Sequence, residues 1–569
     1  MTEVPLGVQP PRRHDLDALR AFAMLLGIAL HGAIPYAPGF PWAIQDSQTS
    51  EAFLLLFMII HGFRMPLFFL ISGYFTMMMW RQRGLSALLR QRALRILLPC
   101  LLGLVTILPL SHWLGRLAAG PGAGSVAGAA GQAAGKSGLV QTATVTSAVR
   151  AGDMSQLKSL LVDAAAANQP DVQFQVRPLS WAAMHGNLQA VQLLLDAGAE
   201  IDGGNADGST ALHGAAFTGH PEIVRLLLER QADPLKANLA GDPPAKSALA
   251  DAAVTGFIQS LLRLPPRDPQ ETMTGRQECL KLLPPLPDAG QVSEPGLLDQ
   301  LRGGYREFLT SPRWNLSAFS AENSQPFHLL LTPVFDHLWF LWFLCWMVAG
   351  FALLAPLAKR LSGCCAAAGR LSGLLTVGWL QCVWLLPTVL TMCFMGLFGP
   401  AFGPDTSVGI VPQPHVLLYY AIFFTFGCLY FAAADGAAHL GRWWWLTLSL
   451  SLLVLLPLSF LPDQSRLLSA LIQSAFAWWM SFGCLGFFRQ FLMGGSRWIR
   501  WLSDSSYWLY LMHLPLLFAI QAPLRSWNMS PFLKFGLSCA VCTGLLLLSY
   551  QWLVRYSWLG ALLNGRRKR

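Results

Sequence analysis

Long apolar segments with very few charged residues are the feature that most restricts the fold of this chain. A helix needs about 20 apolar residues to cross a membrane, and 54% of the residues are hydrophobic while only 12% are charged. The pattern predicts an all-α polytopic membrane protein with about ten transmembrane helices. The predicted spans are, approximately, residues 17–36, 52–79, 93–117, 337–356, 371–396, 414–436, 443–461, 467–488, 504–524 and 532–555.

Basic residues are distributed unevenly between the short segments that connect these spans. One alternate set of connections is rich in arginine, whereas the other set holds only Arg466, Arg525 and Lys534. Because basic short loops remain on the cytoplasmic side, we expect a multi-pass protein of the plasma (inner) membrane with both termini in the cytoplasm. The same distribution accounts for the net charge of +10, so no nucleic-acid partner is expected.

A long polar insertion separates the third span from the fourth and contains an internal repeat. Gly152, Gly186 and Gly219 open three similar segments, GDMSQLKSLL, GNLQAVQLLL and GHPEIVRLLL, at spacings of 34 and 33 residues. This period is typical of an α-solenoid, and the third unit, STALHGAAFTGHPEIVRLLLERQADP, resembles the ankyrin repeat. We therefore expect an ankyrin-repeat insertion over residues 139–262, with a degenerate fourth repeat at 247–262.

The composition on both sides of the repeats predicts connecting segments. Residues 118–138 are a linker rich in glycine and alanine, and residues 263–335 are expected to form a proline-rich tether and an extracytoplasmic loop. The membrane domain therefore comprises residues 1–117 and 336–569. The short loops that flank the insertion predict that it lies outside the cytoplasm, where its repeats offer a surface for a protein partner.

The first span carries a cation and a titratable imidazole on one helical face. In the segment LDALRAFAMLLGIALH, Arg20 and His31 are 11 residues apart, which corresponds to about 1100° of rotation and about 16 Å of rise in an α-helix. Ionisable groups inside a membrane span are energetically expensive and usually functional. This spacing suits a long anionic donor whose charged end binds near one membrane face and whose reactive end lies deeper in the bilayer.

The second span contains further ionisable residues. His61 and Arg64 are three residues apart and therefore share a helical face. An arginine within the bilayer requires an anion, which Asp17, another carboxylate or a ligand would provide. Ser72, beside Gly73, is interpreted mainly as a position of close helix packing, with an acyl nucleophile as the alternative.

Other candidate residues lie near the ends of later spans. Arg92 and Arg95 precede the third span and are either topology determinants or a clamp for the phosphates of a cytosolic donor, since arginine binds phosphate through two hydrogen bonds. His337 opens the fourth span, and Tyr510 and His513 share a face of the ninth span.

The ninth span is expected to begin at Asp504 and Ser505, which are typical N-cap residues. Intramembrane histidines on spans one, two, four and nine predict a shared polar site. A metal centre is the rival interpretation. We do not expect a bound metal, because no two of these histidines are three or four residues apart on one helix.

These motifs resemble those of the integral-membrane acyltransferase family 3, and more narrowly those of its members that succinylate periplasmic glucans. The segments that carry the resemblance are LDALRAFAMLLGIALH, HGFRMPLFFLISGYF, HLWFL and YLMHLPL, and it covers roughly residues 14–117 and 330–560. It implies ten spans and a cytosolic acyl-CoA, either succinyl-CoA or acetyl-CoA, as donor substrate rather than bound cofactor. It also implies an acceptor hydroxyl on an extracytoplasmic carbohydrate such as a periplasmic glucan.

The resemblance also implies roles for individual residues: His31 is the catalytic residue and Arg20 helps to bind the donor. A neutral imidazole at His31 would accept the proton of the attacking hydroxyl. The candidates for proton relay or oxyanion stabilisation are His61, Tyr510 and His513. The further candidates for binding substrate are Arg64, Ser72, Arg92, Arg95 and His337.

Two other functions fit parts of the sequence. A polytopic transporter or sensor would use buried His/Arg pairs as a proton relay and the ankyrin repeats to bind a protein. The halves of the chain show no convincing repeat of helices broken by Gly or Pro, which counts against a transporter. A membrane-anchored scaffold would leave Arg20, His31 and Arg64 without a purpose.

Overall fold

The computed structural model of the protein describes most of the chain as two compact units, Met1–Ala129 with Arg302–Arg569, and Ala130–Leu301. Most of the linker expected at 118–138, half of the degenerate fourth repeat, Arg12 and the basic residues after Asn564 lie outside the described residues. The described residues are 13–38, 40, 42–119, 144–171, 174–205, 207–238, 241–250, 255, 258–259, 262, 264–265, 267–285, 296–316, 327–361, 372–376, 379–397, 402–433, 435, 439–461, 464–494 and 496–564.

The chain begins with four helices: α1 (His14–Ala33), α2 (Glu51–Arg92), α3 (Leu98–Val105) and α4 (Ile107–Ala119). Helix α2 includes the segment expected as a cytoplasmic loop, but the helix is broken at Gly84. The φ of Gly84 is 80°, a left-handed conformation that glycine adopts without strain. Arg92 donates a hydrogen bond to Thr76, 16 residues earlier, a separation of about 24 Å in a straight helix. The chain therefore turns back at Gly84.

Paired short helices follow, and glycines separate the helices of each pair. Gly152, Gly186 and Gly219 have φ values of 68°, 71° and 72°, so the glycines that define the sequence repeat are left-handed residues between consecutive helices. Alanines and leucines with little or no exposed area form the core that the pairs share. The helices are α5 (Val145–Ala151), α6 (Met154–Leu160), α7 (Ala164–Asn168), α8 (Pro178–Met184), α9 (Leu188–Asp196), α10 (Ala211–Thr218), α11 (Pro221–Glu229) and α12 (Pro244–Ser247).

A further helix, α13 (Pro269–Leu282), covers the last repeat. Cys279 and Leu283 are buried in the core of the repeats, and the Arg276 guanidinium donates hydrogen bonds of 2.6 Å to the carbonyl oxygens of Phe217 and Ala250. The expectation of a proline-rich tether is wrong for this segment. Pro269 begins the helix, where Pro is favourable, and apolar residues near the end of the helix bury the open end of the solenoid.

The second part of the membrane unit is again almost entirely helical. Its only described strands are β1 (Asn315–Leu316) and β2 (Phe327–His328), which pair antiparallel. Its helices are α14 (Leu297–Thr310), α15 (Trp339–Leu361), α16 (Leu385–Met392), α17 (Pro414–Ala433), α18 (Trp444–Leu450), α19 (Arg466–Phe491), α20 (Arg497–Leu524), α21 (Pro531–Ser549) and α22 (Trp558–Asn564).

The all-α membrane fold with ankyrin repeats is confirmed, but the predicted count of ten spans is not. Two shorter apolar stretches, Leu380–Met392 and Trp444–Leu458, lie within the predicted fifth and seventh spans. Seven helical stretches among the described residues are long and apolar enough to cross a membrane: His14–Tyr36, Glu51–Val105, Asp336–Ala355, Pro414–Ala433, Arg466–Phe491, Arg497–Leu524 and Pro531–Val554.

The predicted start of the ninth span at Asp504 is wrong. Helix α20 begins at Arg497, and the hydroxyl of Ser496 caps it by accepting a hydrogen bond from the backbone N–H of Trp498. Asp504 therefore lies inside the helix and is buried. Ser496, eight residues before Asp504, caps the helix as well as an aspartate would, so composition alone misplaced the boundary.

Glycines allow α2 and α17 to approach closely. Gly73 lies against the backbone of Phe424, and Gly427 lies against the backbone of Leu70, so a side chain at either glycine would overlap the opposite helix. The thiol of Cys428 also donates to the carbonyl oxygen of Gly73 at 3.3 Å. The close packing expected at Ser72-Gly73-Tyr74 is therefore present.

Two histidines of the repeats are held in their neutral form. The backbone N–H of Thr210 donates to His213 Nδ1, and His213 Nε2 donates to the carbonyl oxygen of Asp242 at 2.9 Å. Arg267 Nη1 lies 3.0 Å from His220 Nδ1, which must accept because a guanidinium only donates. Burial, reinforced by the Arg267 cation, lowers the pKa of His220 to about 4, and burial also lowers the pKa of His213.

We predict that the repeats need α13 to be stable. A chain of residues 139–285 should unfold cooperatively, whereas residues 139–262 should lose about 3 kcal/mol or more, because Cys279, Leu283 and the Arg276 hydrogen bonds are removed. Urea and thermal unfolding followed by circular dichroism measure this difference. As a control, Lys281→Ala, which removes an exposed ion pair with Glu278, should change stability by less than about 1 kcal/mol. Equal stability of the two chains would contradict a capping role.

We also predict that the isolated repeats lose stability in mild acid. Burial lowers the pKa values of His185, His213 and His220, whereas these histidines titrate near pH 6.5 when unfolded. Protons then bind the unfolded chain first, so stability is complete above about pH 6.5 and falls as the pH drops towards 4. Urea unfolding at several pH values should show this slope, and His220→Gln should reduce it. If the free energy of unfolding changes with pH equally in His220→Gln and in the wild type, His220 does not contribute to the pH dependence of stability.

Candidate active site

Helices α1 and α20 lie side by side and are connected at two levels. Arg20 Nη2 donates to the hydroxyl of Ser503 at 2.7 Å. Further along, His31 Nδ1 lies 3.0 Å from His513 Nε2. Between these two contacts the residue numbers increase in the same direction, from 20 to 31 in α1 and from 503 to 513 in α20. The two helices therefore run parallel. Arg20 and His31 therefore project from the same face of α1, as the sequence spacing predicts.

The hydrogen bonds of the two histidines fix which ring nitrogen carries the proton in the neutral form. His513 Nδ1 lies 2.7 Å from the carbonyl oxygen of Tyr510 and must donate to it, because a carbonyl only accepts. His513 Nε2 is therefore an acceptor for His31 Nδ1–H, which also lies 3.0 Å from the carbonyl oxygen of Gly27. The free lone pair of His31 is then on Nε2, so this nitrogen is the basic one.

The segment that follows α1 covers His31 with an aromatic ring. Trp42 stacks on the imidazole with ring centroids 6.0 Å apart and an interplanar angle of 24°, and its indole N–H is buried without a partner among the described residues. The same segment is anchored by an ion pair between Asp46 and Lys534 of α21 at 2.7 Å, in which both side chains are almost fully buried. Losing either partner would leave a buried charge, so this pair holds the segment firmly.

The Arg64 guanidinium lies against α1 one turn before His31. A Cβ atom at Gly27 would be only 2.7 Å from Arg64 Nη1, so the absence of a side chain at Gly27 makes room for the cation. Asp17 is one of three alternative partners predicted for Arg64, and its carboxylate lies 3.7 Å from Arg20 instead. Among the described residues Arg64 forms no ion pair, and its Nε is buried without a partner. A ligand oxygen would satisfy this donor.

Three of the four predicted histidines form one group. The His337 ring is 6.0 Å from the His513 ring and nearly perpendicular to it, and the Tyr510 hydroxyl donates to the backbone carbonyl of His337 at 2.6 Å. His61 lies apart from this group: its ring stacks on Phe57. His61 still interacts electrostatically with Arg64, one helical turn away.

Arginines gather at the opposite end of α1. Arg92 Nη2 donates to the Thr76 hydroxyl at 3.0 Å, and Arg92 is close enough to Arg20 and Arg95 to be repelled by both. The Nε atoms of Arg20 and Arg92 are buried without hydrogen-bond partners among the described residues. Such a group of like charges suits a polyanion such as a phosphate chain. Ser72, whose carbonyl accepts from Thr76, belongs to this end and not to the histidine group.

Some residues near the site were not predicted from the sequence. Besides Trp42 and the Asp46–Lys534 pair, the structure brings His112 Nε2 of α4 to 2.6 Å from the carboxylate of Asp336. Asp336 directly precedes His337, which is the only sequence signal that would have drawn attention to it. Within the described residues, no three His, Cys, Asp or Glu side chains are grouped so that they could hold a metal ion.

Comparison with known proteins assigns this arrangement to a class. The acyltransferase domain of family 3 matches residues 13–155 and 295–551, which is more than half of the chain, and the chain belongs to this acyltransferase family. Ankyrin repeats, in three copies, match residues 146–238 between the two parts. The chain is therefore a multi-pass membrane acyltransferase with an ankyrin-repeat insertion, which argues against the transporter and scaffold alternatives.

Among curated proteins, the chain is similar to glucans biosynthesis protein C from Salmonella paratyphi B and from Salmonella heidelberg. Each is 37% identical over 103 residues, which is 18% of this chain. The matched region spans 26% of the length of these relatives, so the similarity is local.

Proposed function

We propose that the protein transfers a succinyl or acetyl group from cytosolic acyl-CoA to a hydroxyl group of an extracytoplasmic carbohydrate, such as a periplasmic glucan. The observation that carries the proposal is the His31–His513 hydrogen bond, which leaves the lone pair of His31 on Nε2, while the Arg64 cation lies against Gly27 one turn before His31. The acceptor class follows from the name of the relatives, glucans biosynthesis protein C, and from the expected outward position of His31.

The reaction uses His31 as a general base. His31 Nε2 accepts the proton of the acceptor hydroxyl while the hydroxyl oxygen attacks the thioester carbonyl carbon. The C–S bond then breaks, CoA leaves as a thiolate, and the thiolate takes the proton from His31. His513 Nε2 accepts a hydrogen bond from His31 Nδ1–H and so stabilises the His31 imidazolium. Arg64 donates hydrogen bonds to the oxyanion of the tetrahedral intermediate.

The donor lies along α1 between the two polar groups. Arg20, Arg92 and Arg95 bind its phosphates, and the thioester reaches His31 about 16 Å further along the helix axis. His61, one helical turn from Arg64, serves as a proton relay or helps to stabilise the oxyanion. Tyr510 holds the backbone of His337, and Ser72 serves helix packing.

The topology belongs to the same proposal. Both termini lie in the cytoplasm, so the arginines face the cytosolic donor and the histidines open towards the outer side of the plasma (inner) membrane. The ankyrin repeats then lie outside the cytoplasm, where they bind a protein partner. This partner brings the acceptor close to the membrane.

We predict that His31→Gln abolishes acyl transfer although the protein remains folded in the membrane. Glutamine keeps a hydrogen-bonding group but cannot accept a proton, so the rate should fall by about 10²–10⁴-fold. The measurement is the transfer of a labelled acyl group from acyl-CoA to a glucose oligomer in proteoliposomes, relative to the amount of inserted protein. His31→Ala should behave in the same way.

His513 variants provide the matched comparison for His31. The amide oxygen of His513→Gln still accepts from His31 Nδ1–H and preserves the tautomer, so its activity should stay within about tenfold of the wild type, whereas His513→Phe should lose more. His439→Gln, at a partly exposed histidine paired with Asp435, should retain full activity. Full activity of His31→Gln would refute the mechanism.

We predict that Arg20→Ala weakens use of the donor more than the chemical step. Arg20 lies far from the reacting carbonyl and binds phosphate, so the KM for acyl-CoA should rise by at least about tenfold while kcat falls less. Steady-state kinetics at saturating acceptor separate the two effects. Arg442→Ala removes an exposed arginine that stacks on Trp443 and should leave both constants unchanged. A normal KM with a lost kcat would place Arg20 in the reacting group instead.

A further inference from the structure

His337 is the most unusual side chain near the proposed active site. Only 9% of the residue is exposed, yet neither ring nitrogen has a hydrogen-bond partner among the described residues. The backbone of Leu511 interacts with the ring without reaching hydrogen-bonding geometry. Buried polar groups in proteins are almost always paired, and a pair of unsatisfied nitrogens is costly. A ligand that both donates and accepts hydrogen bonds would satisfy the ring.

The backbone before His337 is strained and held by a charged contact. Asp336 has a φ of 38°, a left-handed conformation that is unfavourable for residues other than glycine, although aspartate and asparagine tolerate it best. Its carboxylate lies 2.6 Å from His112 Nε2 of α4. On the other side, the Tyr510 hydroxyl donates to the carbonyl of His337. The contact of the Asp336 carboxylate with His112 and the contact of the His337 carbonyl with Tyr510 therefore hold the backbone on both sides of the His337 side chain.

The position of His337 relates it to the reacting group. Its ring contacts the ring of His513, and His513 is the hydrogen-bond partner of His31. His337 and His31 also interact electrostatically. The two imidazoles are thus neighbours of the same central histidine.

We propose that His337 binds a second hydroxyl group of a polyhydroxyl acceptor while the first hydroxyl reacts at His31, and that the His112–Asp336 pair positions His337 for this contact. The inference rests on the proposed function and adds how the acceptor is selected. A neutral imidazole has one N–H donor and one acceptor nitrogen. The second hydroxyl of a sugar ring pairs with one of these nitrogens, whereas a monohydric alcohol has no second hydroxyl to reach the ring.

The test compares a glucose pentasaccharide with ethanol as acceptors for the same labelled acyl-CoA. The measured quantity is the specificity ratio, kcat/KM for the pentasaccharide divided by kcat/KM for ethanol. In His337→Phe this ratio should fall by at least about tenfold, because a site built to hydrogen-bond a hydroxyl discriminates strongly when that bond is made. His337→Gln, whose amide keeps a donor and an acceptor, should lose less. The KM for acyl-CoA should change by less than threefold.

Variants of the positioning pair separate a positioning role from a merely structural one. Asp336→Ala and His112→Phe should lower the specificity ratio as His337→Phe does. Asp336→Asn should restore it to within about threefold, since asparagine tolerates the left-handed φ and accepts from His112. The control is His439→Phe, which removes the imidazole of another His–Asp pair, with Asp435 at 3.2 Å, and should leave the ratio unchanged.

The outcomes distinguish this inference from the proposed function. If the wild type transfers no acyl group to either acceptor, the proposed function fails. If the wild type is active but the ratio is unchanged in the His337 variants, or transfer to both acceptors falls equally, acceptor selection by His337 is overturned. The Asp336 and His112 variants decide the question if His337→Phe does not accumulate in the membrane. An Asp336→Asn variant as poor as Asp336→Ala would overturn the positioning role.

Discussion

The parallel pairing of α1 with α20 is the contact on which the rest of the site depends. Polar groups within a bilayer must be satisfied by the protein itself, and the two bonds of this pair, Arg20 to Ser503 and His31 to His513, do so at both ends of the shared surface. They also fix the register, because a shift of one residue would rotate either helix by about 100° and break both bonds. The same two hydrogen bonds therefore satisfy the buried groups and orient the imidazole of His31, the proposed base.

Glycines allow side chains and helices from elsewhere in the fold to approach the α1–α20 pair closely. Without a side chain at Gly27, the Arg64 cation of α2 comes within contact of α1 one turn from His31. Gly73 has a corresponding role against α17, which holds α2 in place, and the break at Gly84 returns the chain so that Arg92 lies near Arg20. Residues Glu51–Arg92 thereby supply a cation near each end of α1, which is the arrangement that the proposed donor, with phosphates at one end and a thioester at the other, would need.

Local patterns in the sequence were sufficient for some of these features and not for others. The face shared by Arg20 and His31, the repeat period and the packing at Gly73 follow from spacing along a single helix or repeat, so they could be predicted. The His31–His513 bond joins residues 482 positions apart, and helical periodicity contains no information about such a contact. Likewise, α13 was hidden by the prolines before it, because composition does not show that Cys279 and Leu283 face the open end of the repeats.

The contact between His112 and Asp336 explains how the fold accommodates a large insertion. These residues are 224 positions apart in sequence, and the repeats lie between them, yet α4 and the start of α15 meet through a direct charged hydrogen bond. Closing a longer loop adds only about 0.6 kcal/mol for each doubling of its length, a cost that a hydrogen bond to a charged group, worth about 1.5–3 kcal/mol, can offset. Because Asp336 directly precedes His337, the contact that closes the loop also holds the backbone beside a residue whose ring lies against His513.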